Sequence, residues 1–380
     1  MKRTVNQSKL PRIAFVSDAI YPYNKGGKEK RLFEISTRLS SSHDVHIYCM
    51  KWWAGEELVK VENGVTLHAI SPLYPLYSSE RRSIKEAVLF SLHCFKLLRE
   101  DFDILDADHM PHLVLFPLKI VCLIKRKKLF ATWHEVWGRH YWTKYMGITG
   151  NIAYLIEYVS VRLPDTIISI SDHTTEMLKK EFNRKNVVTI PLGIDLEGIV
   201  KVKPSTKKSD IIFAGRLLSH KNVDVLIKSV ALLKKDFPNI SCFIIGEGPE
   251  RKKLEKLSLE LELTKNIFFF DFFHHHDDLY GFLKSSKVFV FPSTREGFGL
   301  IVLEANACNL PVIVVDHKNN ASRFLVQEEK NGSIVKLSEE DIYMSAKMLL
   351  SRHTNNEVLH YVSKYSWSII TDQVRGVFKT

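Results

Sequence analysis

Short apolar runs alternate with amphipathic stretches along most of this chain, and this alternation constrains the fold more than any other feature. Residues Arg12–Ser17 (RIAFVS) form a mostly apolar run with the length of a buried strand. Residues Lys28–Ser40 then carry Leu32, Ile35 and Leu39 at helical spacing. Strands separated by helices of ten or more residues are typical of βαβ units, so the sequence predicts parallel sheets.

The alternation occurs in two series, one in each half of the chain, which predicts two doubly wound α/β domains facing each other across a ligand-binding cleft. We expect an N-terminal domain over residues 1–196, a polar, lysine-rich linker over 197–209 and a C-terminal domain over 210–362. After Arg12–Ser17, strands are predicted at Val45–Cys49, Ile104–Ala107, Leu129–Thr132, Thr166–Ile170, Asp210–Ala214, Ser241–Ile245, Ile267–Phe270, Val288–Phe291 and Pro311–Val315. Helices are predicted in the second series at Val223–Asp236, Glu250–Leu261, Asp277–Ser285 and Gly299–Cys308.

The composition is that of an ordinary globular protein of two domains: 380 residues, of which 45% are hydrophobic and 26% are charged. It excludes a disordered, collagen-like or coiled-coil chain. The formal net charge of +11 attracts anions, whether nucleic acid, an anionic membrane surface or phosphorylated substrates. Five scattered cysteines without a Cys-x-x-Cys pair indicate reduced thiols and a cytoplasmic protein.

The longest apolar stretch, Leu113–Ile124, is interrupted by Pro117 and Lys119 and is shorter than the roughly 20 residues that a membrane span needs. It is followed by the basic run Lys125–Lys128. Basic residues beside apolar ones can bind anionic lipids. The same pattern also fits a core helix followed by a solvated turn, so peripheral contact with an anionic membrane is left open.

Glycine-rich turns follow several of the predicted strands. Gly26-Gly27 precedes the first helix, where backbone N–H groups can approach an anion. After Asp210–Ala214, Arg216 and Lys221 can clamp a diphosphate, because Arg offers a planar fork and Lys a point charge. Gly246 and Gly248 follow the next strand, where the absence of side chains permits close approach of a ligand. Each of these turns, taken alone, is also compatible with a turn that binds nothing.

The most specific signal is the stretch FPSTREGFGLIVLEANACNLPVI, from Phe291 to Ile313. Glu296 ends a loop, the glycine turn of residues 297–299 leads into a helix, and Glu304 lies on that helix. Amides at the helix start can bind phosphate or sugar oxygens, and a carboxylate on the helix can accept hydrogen bonds from both ribose hydroxyls. Two acids around a glycine loop also resemble the acid/base pair of a glycosidase.

The order of these motifs resembles that of the retaining family-four glycosyltransferases, which have the GT-B architecture of two facing Rossmann-like domains. The resemblance covers nearly the whole chain. It is carried by Gly26-Gly27, Thr132-Trp133-His134-Glu135, Pro191–Glu197 (PLGIDLE), Gly215–Asn222 (GRLLSHKN), Gly246–Arg251 (GEGPER) and the Glu-x7-Glu signature from Glu296 to Glu304.

The resemblance implies a retaining transfer from a UDP- or GDP-sugar, without a cofactor, to a hydroxyl acceptor that can be a glycan or lipid-linked. His134 and Glu296 would be the catalytic residues, Glu304 would bind the ribose, and the turn with Gly246 and Gly248 would adjoin the nucleotide. The donor diphosphate would be bound by Gly27, Arg216, Lys221, Gly297, Phe298, Gly299 and Leu300. The C-terminal residues 363–380 would return to the N-terminal domain.

Three positions depart from the family pattern. Leu192 stands where the family has Asn, Asn222 stands where it has Gly, and Glu135 replaces the commoner Asp. None of these changes removes a positive charge from the predicted diphosphate site. Donor binding is therefore still expected, whereas the hinge geometry can differ.

We expect no bound metal. The acidic string Asp106-Ala107-Asp108 resembles a metal-binding Asp-x-Asp, but it lies far in sequence from the diphosphate motifs and is interpreted as solvent-facing. In the run His274–Asp278, adjacent side chains cannot easily converge on one ion, and Asp277 suits a helix N-cap.

Two other function classes are alternatives to a transferase. A nucleotide-sugar epimerase can share this fold, and the requirement for an acceptor would distinguish a transferase from it. A nucleic-acid-binding protein would suit the positive charge, but no zinc-finger, basic-zipper or RNP-type pattern is present. We therefore expect no nucleic-acid partner.

Overall fold

The structure, a computed structural model, describes residues 10–78, 81–273, 275–351 and 357–379. It divides into two compact units, Met1–Pro191 with Trp367–Thr380, and Leu192–Ser366. The boundary between the two units therefore lies between residues 191 and 192, five residues before the predicted boundary between 196 and 197. Residues 197–209, predicted to be a separate linker, belong to the second unit.

In its described part, the first unit contains an eight-stranded sheet in the order β10-β9-β8-β7-β1-β2-β4-β3 and a small hairpin, β5-β6. Neighbouring strands of the large sheet are parallel except β3, which runs antiparallel to β4 at one edge. The strands are β1 (Arg12–Val16), β2 (Asp44–Met50), β3 (Val59–Glu62), β4 (Val65–Ser71), β5 (Tyr77–Ser78), β6 (Arg81–Arg82), β7 (Ile104–Asp108), β8 (Leu129–Trp133), β9 (Thr166–Ser169) and β10 (Val187–Thr189).

Helices cover both faces of this sheet, and a hydrophobic core lies on each face. Buried residues on both faces explain why the central strands read as continuous apolar runs. The helices are α1 (Gly27–Leu39), α2 (Ile84–His93), α3 (Leu115–Lys125), α4 (Gly138–Met146), α5 (Gly150–Ser160) and α6 (Asp172–Phe182).

The second unit contains a six-stranded parallel sheet in the order β13-β12-β11-β14-β15-β16. Its strands are β11 (Ser209–Ala214), β12 (Cys242–Ile245), β13 (Ile267–Phe270), β14 (Ser286–Phe291), β15 (Val312–Val315) and β16 (Gly332–Val335). Its helices are α7 (Leu196–Lys201), α8 (Val223–Asp236), α9 (Arg251–Glu260), α10 (His276–Lys284), α11 (Leu300–Ala307), α12 (Glu339–Ser351) and α13 (Glu357–Val362).

Two predictions concern the histidine run before α10. The N-cap of α10 is His275, and Asp277 lies in the first turn rather than at the predicted cap position. His274, in the same histidine run, lies outside the described residues.

The last helix, α14 (Trp367–Phe378), belongs to the first unit. Its buried residues Trp367, Ile370, Val374 and Phe378 recur every three or four positions and join the core of one sheet face. The chain therefore returns to the first unit at residue 367, and residues 363–366, predicted to return as well, stay with the second unit.

Among the described helices, none is long and apolar enough to cross a membrane.

Candidate active site

The second unit has a switch in strand order at β11 and β14. These strands are neighbours in the sheet, whereas β12, which follows β11 in the chain, lies on the other side of β11. Such a reversal leaves a crevice beyond the carboxyl ends of the strands. The loop after β11 carries Arg216 and Lys221, and the loop after β14 carries Glu296. The fold thus joins two predicted motifs at the position where parallel sheets bind ligands.

Lys221 and Glu296, predicted to bind different parts of a donor, form an ion pair with each other. Both side chains are largely buried, with exposed fractions of 12% and 14%. The Lys221 ammonium also lies 4.6 Å from the ring centroid of Phe291 at the end of β14. Arg216 is exposed and, among the described residues, has no ion-pair partner. The two predicted clamp cations therefore differ: one is already paired, and the other is open to an incoming anion.

Asn222 ties the two loops together, a function that the sequence did not reveal. Its backbone is left-handed, with φ +49° and ψ +41°, a conformation that Asn adopts more readily than most residues other than Gly. Its side-chain amide donates hydrogen bonds to the carbonyl oxygens of Pro292 and His220, each at 3.0 Å. The replacement of the family's Gly is thus compatible with the turn and also holds the two loops together.

Gly246 and Gly248 pack against the loop that carries Arg216. A Cβ on Gly246 would lie 1.9 Å from the carbonyl oxygen of Gly215, and a Cβ on Gly248 would lie 2.4 Å from that of Leu217. Any side chain there would collide with backbone. The close approach that these glycines permit is therefore first of all between two loops of the protein, and a further approach to a nucleotide stays a prediction.

The helix start after Glu296 depends on Gly299, the N-cap of α11. Its φ is +92°, and an added Cβ would lie 2.4 Å from the Cβ of Ser322. Only glycine fits such a position without strain. The first backbone N–H groups of a helix have no partner within it, so the turn from Gly297 to Leu300 can present amides to an anion. The side chain of Phe298 is buried, which anchors this turn.

Glu304, the predicted ribose ligand, is held by a tyrosine on another helix. The hydroxyl of Tyr280, on α10, donates a hydrogen bond of 3.0 Å to Glu304 Oε1. Burial, together with the negative charge of Glu304, raises the pKa of Tyr280, so the phenol stays protonated and donates. Tyr280 is a residue that sequence reasoning missed, because no spacing links it to Glu304.

The first unit has its own switch point, at β1 and β7. Beyond the ends of these strands, the Lys28 ammonium lies 2.5 Å from Asp18 Oδ1 and 3.6 Å from Asp108 Oδ2. His134 Nε2 lies 3.0 Å from Asp108 Oδ1. Arg82 forms a second ion pair with Asp18. We call Asp18, Lys28, Arg82, Asp108 and His134 the first-unit cluster.

Asp106 and Asp108 are both buried, so the interpretation of this string as solvent-facing carboxylates is wrong. Burial alone would raise the pKa of Asp108, but the Lys28 ammonium and the His134 hydrogen bond outweigh it and lower that pKa to about 2. Asp108 is therefore ionised at neutral pH. It accepts from the His134 ring, which fixes the orientation of the predicted catalytic histidine.

Asp106 behaves differently from its neighbour. Thr132 donates a hydrogen bond of 3.0 Å to Asp106 Oδ2, and the Arg31 guanidinium donates to the Thr132 hydroxyl at 3.2 Å. Burial raises the pKa of Asp106 to about 7, although the positive charge of Arg31 opposes this. In the described residues, no group of three or more His, Cys, Asp and Glu side chains is placed to hold a metal.

The glycine pair before α1 is present at the helix start, with Gly26 as the N-cap and Gly27 as the first helical residue. A Cβ on Gly26 would lie 2.2 Å from Glu29 Oε2. A buried carboxylate of the protein therefore already lies at this turn. The predicted role of Gly27 in phosphate binding stays a prediction.

Sequence models of two glycosyltransferase families match consecutive parts of the chain. Glycosyltransferase Family 4 matches residues 25–197, and Glycosyl transferases group 1 matches residues 197–366. Together the two models span residues 25–366, so the chain belongs to the glycosyltransferase families that they describe. The Family 4 match lies mainly on the unit with His134, and the group 1 match lies on the unit with Lys221 and Glu296.

Among the curated relatives, the chain is similar to the UDP-Gal:α-D-GlcNAc-diphosphoundecaprenol α-1,3-galactosyltransferase of Escherichia coli, with 27% identity over 55% of this chain and 56% of the relative. The chain spans about half or less of the length of the curated relatives it matches.

Solved structures share the GT-B fold. Sucrose-phosphate synthase from Thermosynechococcus elongatus aligns with a TM-score of 0.76 and 17% identity over 97% of this chain and 98% of its own. HepE of Anabaena, in complex with UDP and glucose, aligns with a TM-score of 0.69 and 15% identity over 97% and 99%. At these identities the likeness concerns the fold.

Proposed function

We propose that this glycosyltransferase moves a sugar, with retention of its anomeric configuration, from a UDP-sugar to a hydroxyl of a lipid-linked acceptor. The observation that carries the proposal is the pairing of Lys221 with Glu296 at the switch point of the second sheet. A diphosphate arriving there would compete for the ammonium and release the carboxylate to accept hydrogen bonds from the sugar hydroxyls. Glu304, held by Tyr280, would bind the ribose.

The proposed reaction breaks the bond between sugar C1 and the diphosphate and forms one between C1 and the acceptor oxygen on the same face. The acceptor proton passes to the leaving diphosphate oxygen, so no protein carboxylate needs to act as base. Arg216, Lys221 and the start of α11 would stabilise the negative charge that develops on the leaving group. The proposal assigns His134, oriented by Asp108, to the positive charge that develops on the sugar.

Proton NMR of the first-formed product, from incubations with and without acceptor, tests this reaction. Retention of the donor configuration in an acceptor-dependent product is expected. An inverted anomer contradicts the retaining assignment. An epimerised nucleotide sugar formed without acceptor contradicts transfer itself.

The proposal includes metal independence. Two full positive charges and about half a charge from the helix dipole roughly balance a diphosphate leaving group without an ion. Full activity in excess EDTA is the expected result. If EDTA abolished activity and Mn²⁺ restored it, a metal ion rather than the protein cations would neutralise the leaving diphosphate.

The choice of UDP and of a lipid-linked acceptor rests on similar proteins. The name of the E. coli relative includes UDP-Gal and diphosphoundecaprenol, and the Anabaena structure contains UDP. A thermal-shift comparison of UDP and GDP tests the base. A ligand at a hundred times its dissociation constant stabilises the folded protein by about 2.7 kcal/mol. A shift with GDP and none with UDP would overturn the choice.

We further propose peripheral contact with an anionic membrane, on the cytoplasmic side, through α2, α3 and α5. Helix α2 packs against α3, and α5 packs against the 3₁₀ turn that precedes α3. Segments 84–99, 115–128 and 138–162 contain eleven Lys or Arg residues. Their two acidic residues, Glu86 and Glu157, are both buried. Large apolar side chains at least 60% exposed on this surface are Ile84, Leu123, Ile124, Ile148, Ile152 and Leu155.

Exposed apolar side chains with a surplus of basic residues around them match a negatively charged lipid surface, although Lys119 and Lys127 are paired with Asp165 and Asp103. Flotation with neutral and with anionic vesicles tests this contact. Binding to anionic vesicles that weakens with salt and is lost in the double variant Leu123→Glu/Ile124→Glu is expected. Leu259→Glu, an exposed leucine on α9 of the second unit, should bind like the unchanged protein. Equal binding to neutral vesicles, or none to anionic ones, contradicts the proposal.

A further inference from the structure

Glu157 is a fully buried carboxylate that accepts three hydrogen bonds at the end of the loop carrying His134. It lies on α5 and is 0% exposed. The backbone N–H groups of Trp137 and Gly138 donate to it, each at 2.9 Å, and the indole N–H of Trp142 donates at 2.7 Å. Burial raises the pKa of Glu157 to about 7, although these three donors oppose it. Because burying a carboxylate without a cation beside it is unfavourable, its presence here indicates a specific role.

The donors show what Glu157 holds. Helix α4 begins at Gly138, and its N-cap residue, Trp137, has no side-chain capping bond. The carboxylate supplies the acceptor that these helix-start amides lack. Gly138 itself has a φ of +65°, so the turn into the helix is sharp. Loss of Glu157 would leave three buried donors without a partner.

The other end of the same loop is held by the first-unit cluster. His134 directly follows β8, its ring bonds Asp108, and its backbone N–H donates to His109 Nδ1 at 3.2 Å. Between the two ends, the indole N–H of Trp137 donates to Glu135 Oε1 at 2.6 Å. Residues 134–138 are thus fixed at both ends, by Asp108 and His109 on one side and by Glu157 on the other.

We propose that Glu157 is a positioning residue of the transfer reaction, which fixes the 134–138 loop and through it the His134 backbone and ring. This role rests on the proposed function, because it assumes that His134 acts on the transferred sugar. Glu157 is too deeply buried to contact a substrate. Its removal should therefore slow the reaction without weakening donor binding, because the predicted donor-binding residues, apart from Gly27, lie in the second unit.

The test compares Glu157→Ala, Glu157→Gln and Trp142→Phe with the matched control Glu176→Ala, an exposed acid on α6. A misplacement of about 1 Å can cost about a hundredfold in rate, so Glu157→Ala should lower kcat by about that factor with an unchanged KM for the donor. Glu157→Gln keeps one acceptor oxygen and should recover part of the loss. Trp142→Phe removes one of three donors and should cost less, and Glu176→Ala should change nothing.

Amide hydrogen exchange gives a readout that does not need turnover. Glu157→Ala should speed exchange in peptides covering 134–138 and leave peptides covering 296–304 unchanged. Faster exchange with wild-type kcat overturns the role, as does a loss in Glu157→Gln equal to that in Glu157→Ala. If even the unchanged protein transfers no sugar, the proposed function fails. Exchange then decides the loop contact alone, and unchanged exchange overturns that contact.

Discussion

The two switch points hold their charged groups in opposite ways. In the first unit, Asp18 and Asp108 are buried, and Lys28, Arg82 and His134 contact them. In the second unit, Lys221 has one carboxylate partner and Arg216 is exposed. The first arrangement fixes geometry before any ligand arrives, whereas the second can exchange a protein partner for a ligand. The difference suggests that the first unit orients groups and the second binds the charge.

The largest effect should come from removing the shared anion of the first-unit cluster. Asp18→Ala leaves Arg82 without a carboxylate in hydrogen-bonding contact and leaves Lys28 with the more distant carboxylates of Asp108 and Glu29. Breaking a buried pair by removing one partner costs about 3–5 kcal/mol of unfolding free energy, measurable by chemical denaturation. The control Asp372→Ala breaks an exposed pair on α14 and should cost under about 1 kcal/mol. Similar losses in both variants would show that the cluster is not structurally special.

In the second unit, substitution of the charged residues should mainly lower activity. Lys221→Ala and Arg216→Ala should each lower kcat/KM by about a hundredfold, or about 3 kcal/mol, because each removes a charge from the leaving-group site. Lys221→Ala should in addition lower stability, since it leaves the largely buried Glu296 unpaired, whereas Arg216→Ala should not. Lys228→Ala, which removes a partly exposed charge on α8, is the matched control. Near wild-type transfer by both clamp variants would contradict the assignment of charge binding to this unit.

The units should also differ in their response to pH. Because the pKa of Asp106 is raised to about 7 in the fold, the folded first unit holds this proton more tightly than the unfolded chain does. The bound proton therefore contributes to the free energy of unfolding in full below pH 4, and this contribution is lost as the pH rises through 7. Between pH 5 and pH 8 the loss should be about 2.5 kcal/mol. Asp106→Asn should remove this part of the pH dependence in denaturation curves and leave the part that comes from Glu157, whose pKa is also raised to about 7. A slope equal to that of the unchanged protein would contradict the prediction.

The sequence predicted the repeated strand–helix pattern well, because buried parallel strands and amphipathic helices leave strong periodic signals. Helix Val223–Asp236 and strand Ile267–Phe270 have the predicted bounds. The edge strands β3, β10 and β16 were missed, because short, partly exposed strands carry weak patterns. The inner strand β4 was missed as well, although it is seven residues long and mostly buried. The unit boundary was misplaced because α7 is only six residues long and Ile199 is its one buried residue, so its sequence resembles a linker.

The site was predictable where residues follow one strand closely and less so where distant segments meet. Arg216, Lys221 and Glu296 follow the ends of strands, and the structure brings them to one crevice. Asp18 and Asp108 also follow strand ends, and the same rule applied to them would have predicted the first-unit cluster. Contacts such as Tyr280 with Glu304 depend on how α10 packs beside α11, which local sequence does not encode.

The smallest effect should come from the hydroxyl of Tyr280, which orients Glu304 in the second unit. Tyr280→Phe removes one hydroxyl that donates to Glu304 and leaves the ring in place. A hydrogen bond to a charged group contributes about 1.5–3 kcal/mol, but water or the ribose can replace this one, so about 1 kcal/mol should be lost. That corresponds to about a fivefold rise in the donor KM with kcat unchanged.

Glu304→Gln, which weakens the acceptor itself, should raise the donor KM more than Tyr280→Phe does. The double variant then decides whether the hydroxyl acts through Glu304. If it does, the double variant should resemble Glu304→Gln, because the hydroxyl has lost the charge that it orients. Fully additive effects would show that Tyr280 acts on the donor independently. In that case the orientation of Glu304 would not depend on the Tyr280 hydroxyl.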